Sequence, residues 1–265
     1  MLLRRDLLPW LLCGCLVPPA AGHGTEPPAR VASLAPNLTA MVRQLGAGSS
    51  LAAVTPFCQA PAEVLRLTAG IQPAAEEVLA LDPDLVLATS MTPAATRAQL
   101  TRLGLRVEVI EAGSLASIEA ALARVARMLG VSPPPATVRT SRARDRSAAL
   151  LFGADTGFSA GCGTHAHEIL EAAGLRNIAA EAGGPWPQLG EEFLLAADPD
   201  VIVVADYGGT KREDVLKTLQ RHPVRRHLAA VRSGRIVIFP APVFSVPGPA
   251  ALEAGESLRA EVDKL

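Results

Sequence analysis

Leu79-Ala80-Leu81-Asp82-Pro83-Asp84-Leu85-Val86-Leu87 returns later in the chain as Leu195-Ala196-Ala197-Asp198-Pro199-Asp200-Val201-Ile202-Val203. Proline cannot continue a helix and disfavours helical geometry in the residue before it. Each copy therefore reads as a helix end, a turn and a strand. The strand Leu85 to Ala88 is apolar at every position, which predicts burial on both faces, as in a parallel sheet under helices. A second echo pairs a helix stopped by Gly46 with one stopped by Gly174. Two matched units in the same order predict a duplicated α/β architecture.

The rest of the chain fits that frame. Val31 to Leu34, Leu51 to Val54 and Leu105 to Ile110 read as further strands of a first lobe. Leu38, Met41, Val42 and Leu45 fall on one helical face, as do Ile118, Ala121, Leu122, Val125 and Leu129, and a helix from about Pro93 ends at Gly104. A second lobe offers strands at Ala148 to Phe152, Val201 to Ala205 and Arg235 to Phe239, with a final helix over 249–264. The expected fold is α/β: two lobes, each a parallel sheet flanked by helices, over residues 30–130 and 147–265. Residues 131–146 open with three prolines and continue polar and basic, and are expected to be a single linker helix.

The first 22 residues read as a signal peptide: Arg4 and Arg5, an apolar run from Leu7 to Val17, then Ala20-Ala21-Gly22. Two variants stay open at this point. The arginine pair resembles a twin-arginine signal, and Leu12-Cys13-Gly14-Cys15 partly resembles a lipoprotein box with Cys15 lipidated. Either way export to the periplasm is expected. A formal net charge of -1 over 265 residues gives no electrostatic reason to expect nucleic acid.

Motifs for catalysis are missing. Gly161-Cys162-Gly163 lacks the third glycine of a nucleotide fingerprint, and neither a Walker lysine loop nor a Gly-x-Ser-x-Gly elbow occurs. In parallel sheets ligands sit beyond the carboxyl ends of strands. That rule selects the loops with Pro36 and Asn37, Phe57 and Cys58, Thr89 to Met91, Phe158 and Ser159, Tyr207, and Pro240 to Phe244. Aromatics make up only 3% of the chain, so Phe57, Phe158, Trp186, Tyr207 and Phe244 in such loops suit a flat or apolar ligand. Trp186 stands between Pro185 and Pro187, which makes it neither helix nor strand core.

Cys58, Cys162, His165 and His167 leave several readings open. The cysteines read either as free thiols or as a pair across the lobes, and the four side chains together have the chemistry of a metal site. The default for the histidines is the surface or a helix cap, since they sit two apart at a helix start. No metal or cofactor is expected. Glu76 and Glu192 each lie six residues before the first Asp of their turn, so the duplication makes them equivalent. They read either as helix-start acids, worth about 0.5 kcal/mol, or as one acidic knob per lobe facing a two-fold partner. Glu77 and Glu191 leave that assignment open by one residue.

Arg30-Val-Ala-Ser-Leu-Ala-Pro-Asn-Leu-Thr39, Leu45-Gly-Ala-Gly48, Val54-Thr-Pro-Phe-Cys58 and the Asp-Pro-Asp turns resemble the helical-backbone (class III, chelatase-like) periplasmic binding proteins of ABC importers. Phe158-Ser-Ala-Gly161, Asn177-Ile178 and Pro185-Trp-Pro-Gln-Leu-Gly-Glu-Glu192 resemble the cobalamin-binding members. The resemblance implies a binding protein, not an enzyme, and a monomer that delivers its ligand to a permease and its ATPase. It implies Phe57, Phe158 and Trp186 at the ligand, and Glu76 and Glu192 against permease arginines. Ile71-Gln72 and Thr89 stand where cobalamin relatives carry further aromatics, and the loop before Phe158 is short. Haem and ferric siderophores therefore stay open beside a corrinoid.

Overall fold

The computed structural model describes residues 27–70, 72–136 and 146–265. The expected signal peptide with Cys15, and residues 137–145 of the expected linker helix, lie outside the described residues. Val131–Ala136, the linker's first part, is not helical; proline lacks the backbone N–H that a helix needs.

The first lobe runs β1 (Val31–Ser33), α1 (Pro36–Gln44), β2 (Leu51–Val54), β3 (Leu65–Arg66), α2 (Ala75–Leu79), β4 (Leu85–Ala88), α3 (Ala94–Arg102), β5 (Val107–Val109) and α4 (Leu115–Met128). The second runs β6 (Arg146–Leu151), α5 (His165–Ala172), β7 (Leu175–Asn177), α6 (Glu191–Ala197), β8 (Val201–Asp206), α7 (Arg212–Arg221), α8 (Ala229–Arg232), β9 (Ile236–Pro240), α9 (Ala241–Ser245) and α10 (Ala251–Val262). All strand pairs are parallel. The orders are β3-β2-β1-β4-β5 and β7-β6-β8-β9. β4 is buried at all four positions and β8 at its first five, as covered parallel strands require.

Local chemistry sets the ends of these elements. Ser114 caps α4, accepting from Ser117 N, and Ser117 returns the bond to Ser114 N. The stripe of Ile118, Ala121, Leu122 and Val125 then faces the core. Both Asp-Pro-Asp turns open on an aspartate in the left-handed region, Asp82 at φ +45 and Asp198 at φ +33. These are the only non-glycine residues so placed among the described residues. The later aspartate of each turn ties down the first strand of its own sheet. Asp84 Oδ2 accepts from Ala29 N and Arg30 N, both at 2.9 Å. Asp200 Oδ2 accepts from Ser147 N at 2.8 Å and Ser147 Oγ at 2.7 Å. Those bonds, the backbone one first, hold the Asp200 carboxyl below the usual carboxylate range.

One core threads both lobes. Met41, Leu122 and Val125 of the first belong to the same buried cluster as Leu150, Leu170, Leu258 and Val262 of the second. α10 packs on α5 and reaches α4, and Glu168 of α5 accepts from Leu115 N at the start of α4. A smaller cluster completes each lobe, around Ala53, Val86 and Leu100 and around Leu151, Ile202 and Leu219. Among the described residues no helix is long and apolar enough to cross a membrane.

The edge strands β3 and β7 were invisible to hydrophobic pattern, being two and three residues long. The stretch from Pro240 to Phe244, expected as an open loop, ends β9 and begins α9.

Candidate functional site

Both sheets change direction beside a central strand. Such points collect loops at the carboxyl edge. In the first lobe the loops after β1 and β4 meet there and floor a cleft of about 460 Å³. Pro36 and Asn37 line it with Thr89, Met91, Glu111 and Phe57. Ser245, the last residue of α9, closes it from the second lobe together with Val246 and Pro247. The lining is mostly apolar with a few polar groups, the make-up of a small-molecule site.

Phe57 is 66% exposed. Its ring lies on Gly70, where a Cβ would meet ring atoms at 2.1 Å. Arg66 holds its loop, with Nη1 donating to Cys58 O at 2.8 Å and Nη2 to Ala60 O at 3.3 Å. Glu111 is held at the cleft's edge by Ser90 N at 2.7 Å and Ser90 Oγ at 2.9 Å.

The second lobe builds an aromatic platform. Residues 157–161 run against 185–189 through Leu189 N to Gly157 O, Ser159 N to Pro187 O and Gly161 N to Pro185 O, at 2.8, 3.0 and 2.9 Å. That backbone pairing sets Phe158 and Trp186 side by side, with centroids 6.0 Å apart and planes 17° from parallel. Phe152 packs against both at 5.3 and 6.0 Å. Phe158 is 40% and Trp186 42% exposed, so each ring keeps open surface while its neighbours fix it. Tyr207 stands further out, 73% exposed. Its loop is pinned by Asp206, which accepts from Thr210 Oγ1 at 2.6 Å and Gly208 N at 2.9 Å. The Thr210 hydroxyl is the main cause that holds the Asp206 carboxyl below its ordinary value.

Besides Asn37, which is buried yet lines the cleft, three expected contact residues are not at the surface. Cys58 is buried, with Sγ 3.1 Å from Thr55 Oγ1. Ser159 is buried and donates to Leu150 O at 2.6 Å. Phe244 is fully buried against Phe239, because α9 turns it inward. They brace loops and do not line the cleft. Gly70, Glu111 and Ser245–Pro247 were missed as lining residues. Glu111 lies just past β5, and the strand-end rule carried that far would have found it.

The thiol and histidine alternatives are corrected too. Cys58 and Cys162 are free thiols, one buried and one exposed. Among the described residues no group of three or more His, Cys, Asp or Glu is arranged to hold a metal. Thr164, not a histidine, caps α5, accepting from His167 N. His165 is buried, its Nε2 3.2 Å from Val243 O on α9, and desolvation pushes its pKa down. His167 Nδ1 faces the Asn177 amide nitrogen at 3.1 Å. Asn177 Nδ2 also donates to Ala160 O, and its Oδ1 accepts from Ala179 N. The amide orientation is thereby fixed, so Nδ1 accepts and the proton sits on Nε2. Nε2 faces Glu171 at 3.4 Å and Cys162 Sγ at 4.0 Å.

Glu76 and Glu192 are exposed on the first turns of α2 and α6. Glu76 Oε1 accepts from Gln99 Nε2 of α3 at 2.8 Å, and the neighbouring acids also bond within their own lobes. Glu77 Oε1 accepts from Thr68 N and Oγ1 at 2.8 and 2.7 Å. Glu191 pairs with buried Arg225, with Oε1 2.7 Å from Nη2.

Two parallel-sheet lobes with ligand-sized space and aromatics at their strand ends make up the architecture that two-lobed solute-binding proteins share. Residues 134–243 match the family model described as "Periplasmic binding protein". A cobalamin-binding protein of Halobacterium salinarum is 28% identical over 248 residues, covering 85% of this chain and 67% of that protein. A vitamin B12-binding protein of Salmonella paratyphi A is 34% identical over 153 residues, covering 51% of this chain and 56% of that one. Among solved structures, a periplasmic heme-binding protein from Roseiflexus sp. RS-1 is 26% identical with a TM-score of 0.70, covering 91% of this chain and 99% of that chain. The chain shares the fold of class III periplasmic binding proteins.

Proposed function

We propose that this chain is the exported, extracytoplasmic binding component of an ABC importer, and that it holds a corrinoid of the cobalamin type between its lobes. The observation that carries the reading is an exposed aromatic surface at the carboxyl end of each sheet, Phe57 on one lobe and stacked Phe158–Trp186 on the other. Rigid aromatic faces contribute large contact area to a broad, partly apolar ligand. The names of the Halobacterium and Salmonella relatives support the corrinoid. Exposed Glu76 and Glu192, one per lobe, face the permease, and the protein works as a monomer without nucleic acid or cofactor.

Haem is the second reading, favoured by Met91 in the cleft and Tyr207 on the second lobe. Thioether and phenolate are both haem-iron ligand types. Titration of the purified protein with cyanocobalamin, cobinamide, hemin and a ferric siderophore separates the two readings. Trp186 is the only tryptophan beyond residue 22, so its fluorescence reports on the platform directly. Quenching by cyanocobalamin or cobinamide supports the first reading, and quenching by hemin alone moves the assignment to the second. Silence with all four refutes both. For docking, Glu76→Ala with Glu192→Ala should leave ligand affinity intact and lower uptake in cells; normal uptake would count against that face.

A further inference from the structure

The two inner acids do something the two outer ones do not. In the first lobe, Glu77 of α2 accepts two bonds from Thr68, at 2.8 and 2.7 Å. Thr68 belongs to the segment 65–70 that presents Phe57: Arg66 grips the carbonyls of Cys58 and Ala60, and Gly70 is the floor under the ring. In the second lobe, Glu191 of α6 pairs with Arg225, whose Nε and Nη2 both reach its Oε1, at 3.1 and 2.7 Å. Arg225 Nη1 donates to Ala154 O and Thr156 O, both at 2.8 Å. Those carbonyls belong to the loop that delivers Phe158. The two wirings use different residues and are not copies of one another. Yet each runs from the helix carrying an outer glutamate to the loop carrying a ligand aromatic.

We propose that Glu77 and Glu191, with Arg225, are positioning residues that couple α2 and α6 to the grip of Phe57 and Phe158 on the cargo. The inference rests on the assignment of the cleft and of the Glu76 and Glu192 face. A force that shifts α2 or α6 acts on the aromatic loop of the same lobe through a hydrogen-bonded chain of two to three residues. Arg225 is buried and has no water to fall back on, so its loop bonds hold only while Glu191 stays in register. Coupling is reciprocal, so cargo in the cleft changes the exchange of helix amides that it does not touch.

The test uses the mature protein with cyanocobalamin and hemin as probes. Glu77→Ala and Glu191→Ala should each speed probe release about tenfold, a size expected of residues along a coupling path. Glu256→Ala, an exposed acid on α10, serves as the surface control and should match wild type. Glu77→Gln keeps the acceptor for Thr68 and should restore slow release. Probe binding should also slow hydrogen exchange in α2 and α6, and the two Ala variants should lose that response. Release within twofold of wild type in both variants, or lowered melting temperature with unchanged release, overturns the proposal. So does exchange in α2 and α6 that ignores the probe. If wild type binds neither probe, the cleft assignment fails, and one arm still decides the second-lobe wiring. Iodide should quench Trp186 more strongly in Glu191→Ala and in Arg225→Lys, because lysine cannot reproduce the guanidinium fork. Unchanged quenching in both sinks it.

Discussion

The two lobes share a fold but offer their aromatics in opposite ways. Phe57 stands apart from other rings and rests on a glycine, 66% exposed. Phe158 and Trp186 are set in a three-ring cluster on paired backbone. Less ordering entropy remains to be lost when a pre-set surface meets a ligand. In the proposed reading, the second lobe supplies the fixed half of the site and the first lobe the adjustable half. The sharpest way to break that contrast is at Gly157, where a Cβ would lie 2.2 Å from Leu189 O and 2.9 Å from Gln188 Nε2. Gly157→Ala must separate the two paired segments. It should destabilise the protein by about 2–3 kcal/mol, as overpacking against backbone does, and lower ligand affinity with it. Thermal melts and the fluorescence titration check both. A wild-type melt would mean that the segments part without loss.

Removing single rings sharpens the same contrast. Trp186→Ala should weaken ligand binding by about 2 kcal/mol, the size of a buried aromatic anchor, and leave Phe158 without its stacked neighbour. Phe57→Ala should weaken binding by about 1 kcal/mol with an unchanged melting temperature, since the ring covers little more than Gly70. Calorimetry on both variants measures the difference. Equal losses would erase the distinction between a fixed half and an adjustable half.

The sequence disclosed the lobes because parallel strands carry their burial in composition: β4 and β8 are apolar runs after a proline turn. It put Phe57 and Phe158 in loops after strands because the strand-end rule needs only strand order, and Trp186 stood out because prolines flank it. Cys58, Ser159 and Phe244 obeyed the same rule and were still misplaced. Facing inward or outward within a loop depends on partners far away in sequence, such as Leu150 O for Ser159 and Phe239 for Phe244. Arg225 was invisible for the same reason. It reads as one more basic residue in Arg225-Arg226-His227, and only tertiary structure brings it to Glu191 and Ala154. Its neighbour Arg226 shares its chemistry and remains at the surface.

His165 offers a comparison of a different kind, because it ties α5 to the wall of the cleft through Val243. Burial lowers its pKa in the folded state, so the unfolded chain takes up the proton first. Stability should then fall as pH drops below about 6.5, the value for a free histidine. Asp200 and Asp206 have lowered pKa values of the opposite type: their contribution is present above about 3.9 and fades only below it. Between about pH 6.5 and 4.5 the slope from His165 is therefore separable from theirs. Denaturant melts across that window should show it, and His165→Gln, which keeps a donor for Val243 O, should flatten it. An unchanged slope in the variant would move the acid sensitivity elsewhere.

The smallest effect expected lies in the feature that first revealed the two lobes. Asp82 and Asp198 share a left-handed backbone, which strains most side chains but not glycine. Asp198 adds a bond that its twin has no counterpart for among the described residues: Oδ1 accepts from Ala229 N at 2.7 Å. Asp82→Gly trades relief of that strain against a looser unfolded chain, and should stay within about 0.5 kcal/mol of wild type. Asp198→Gly makes the same trade and also loses the bond to Ala229, about 1 kcal/mol. Chemical denaturation of the two variants measures that gap. If they are equally stable, the Ala229 bond adds nothing and the turns are energetic as well as structural twins. If Asp198→Gly alone is weakened, the second lobe anchors its turn to α8 as firmly as it anchors its aromatics. The contrast between a fixed and an adjustable lobe would then extend from the cleft to the opposite edge of the sheet.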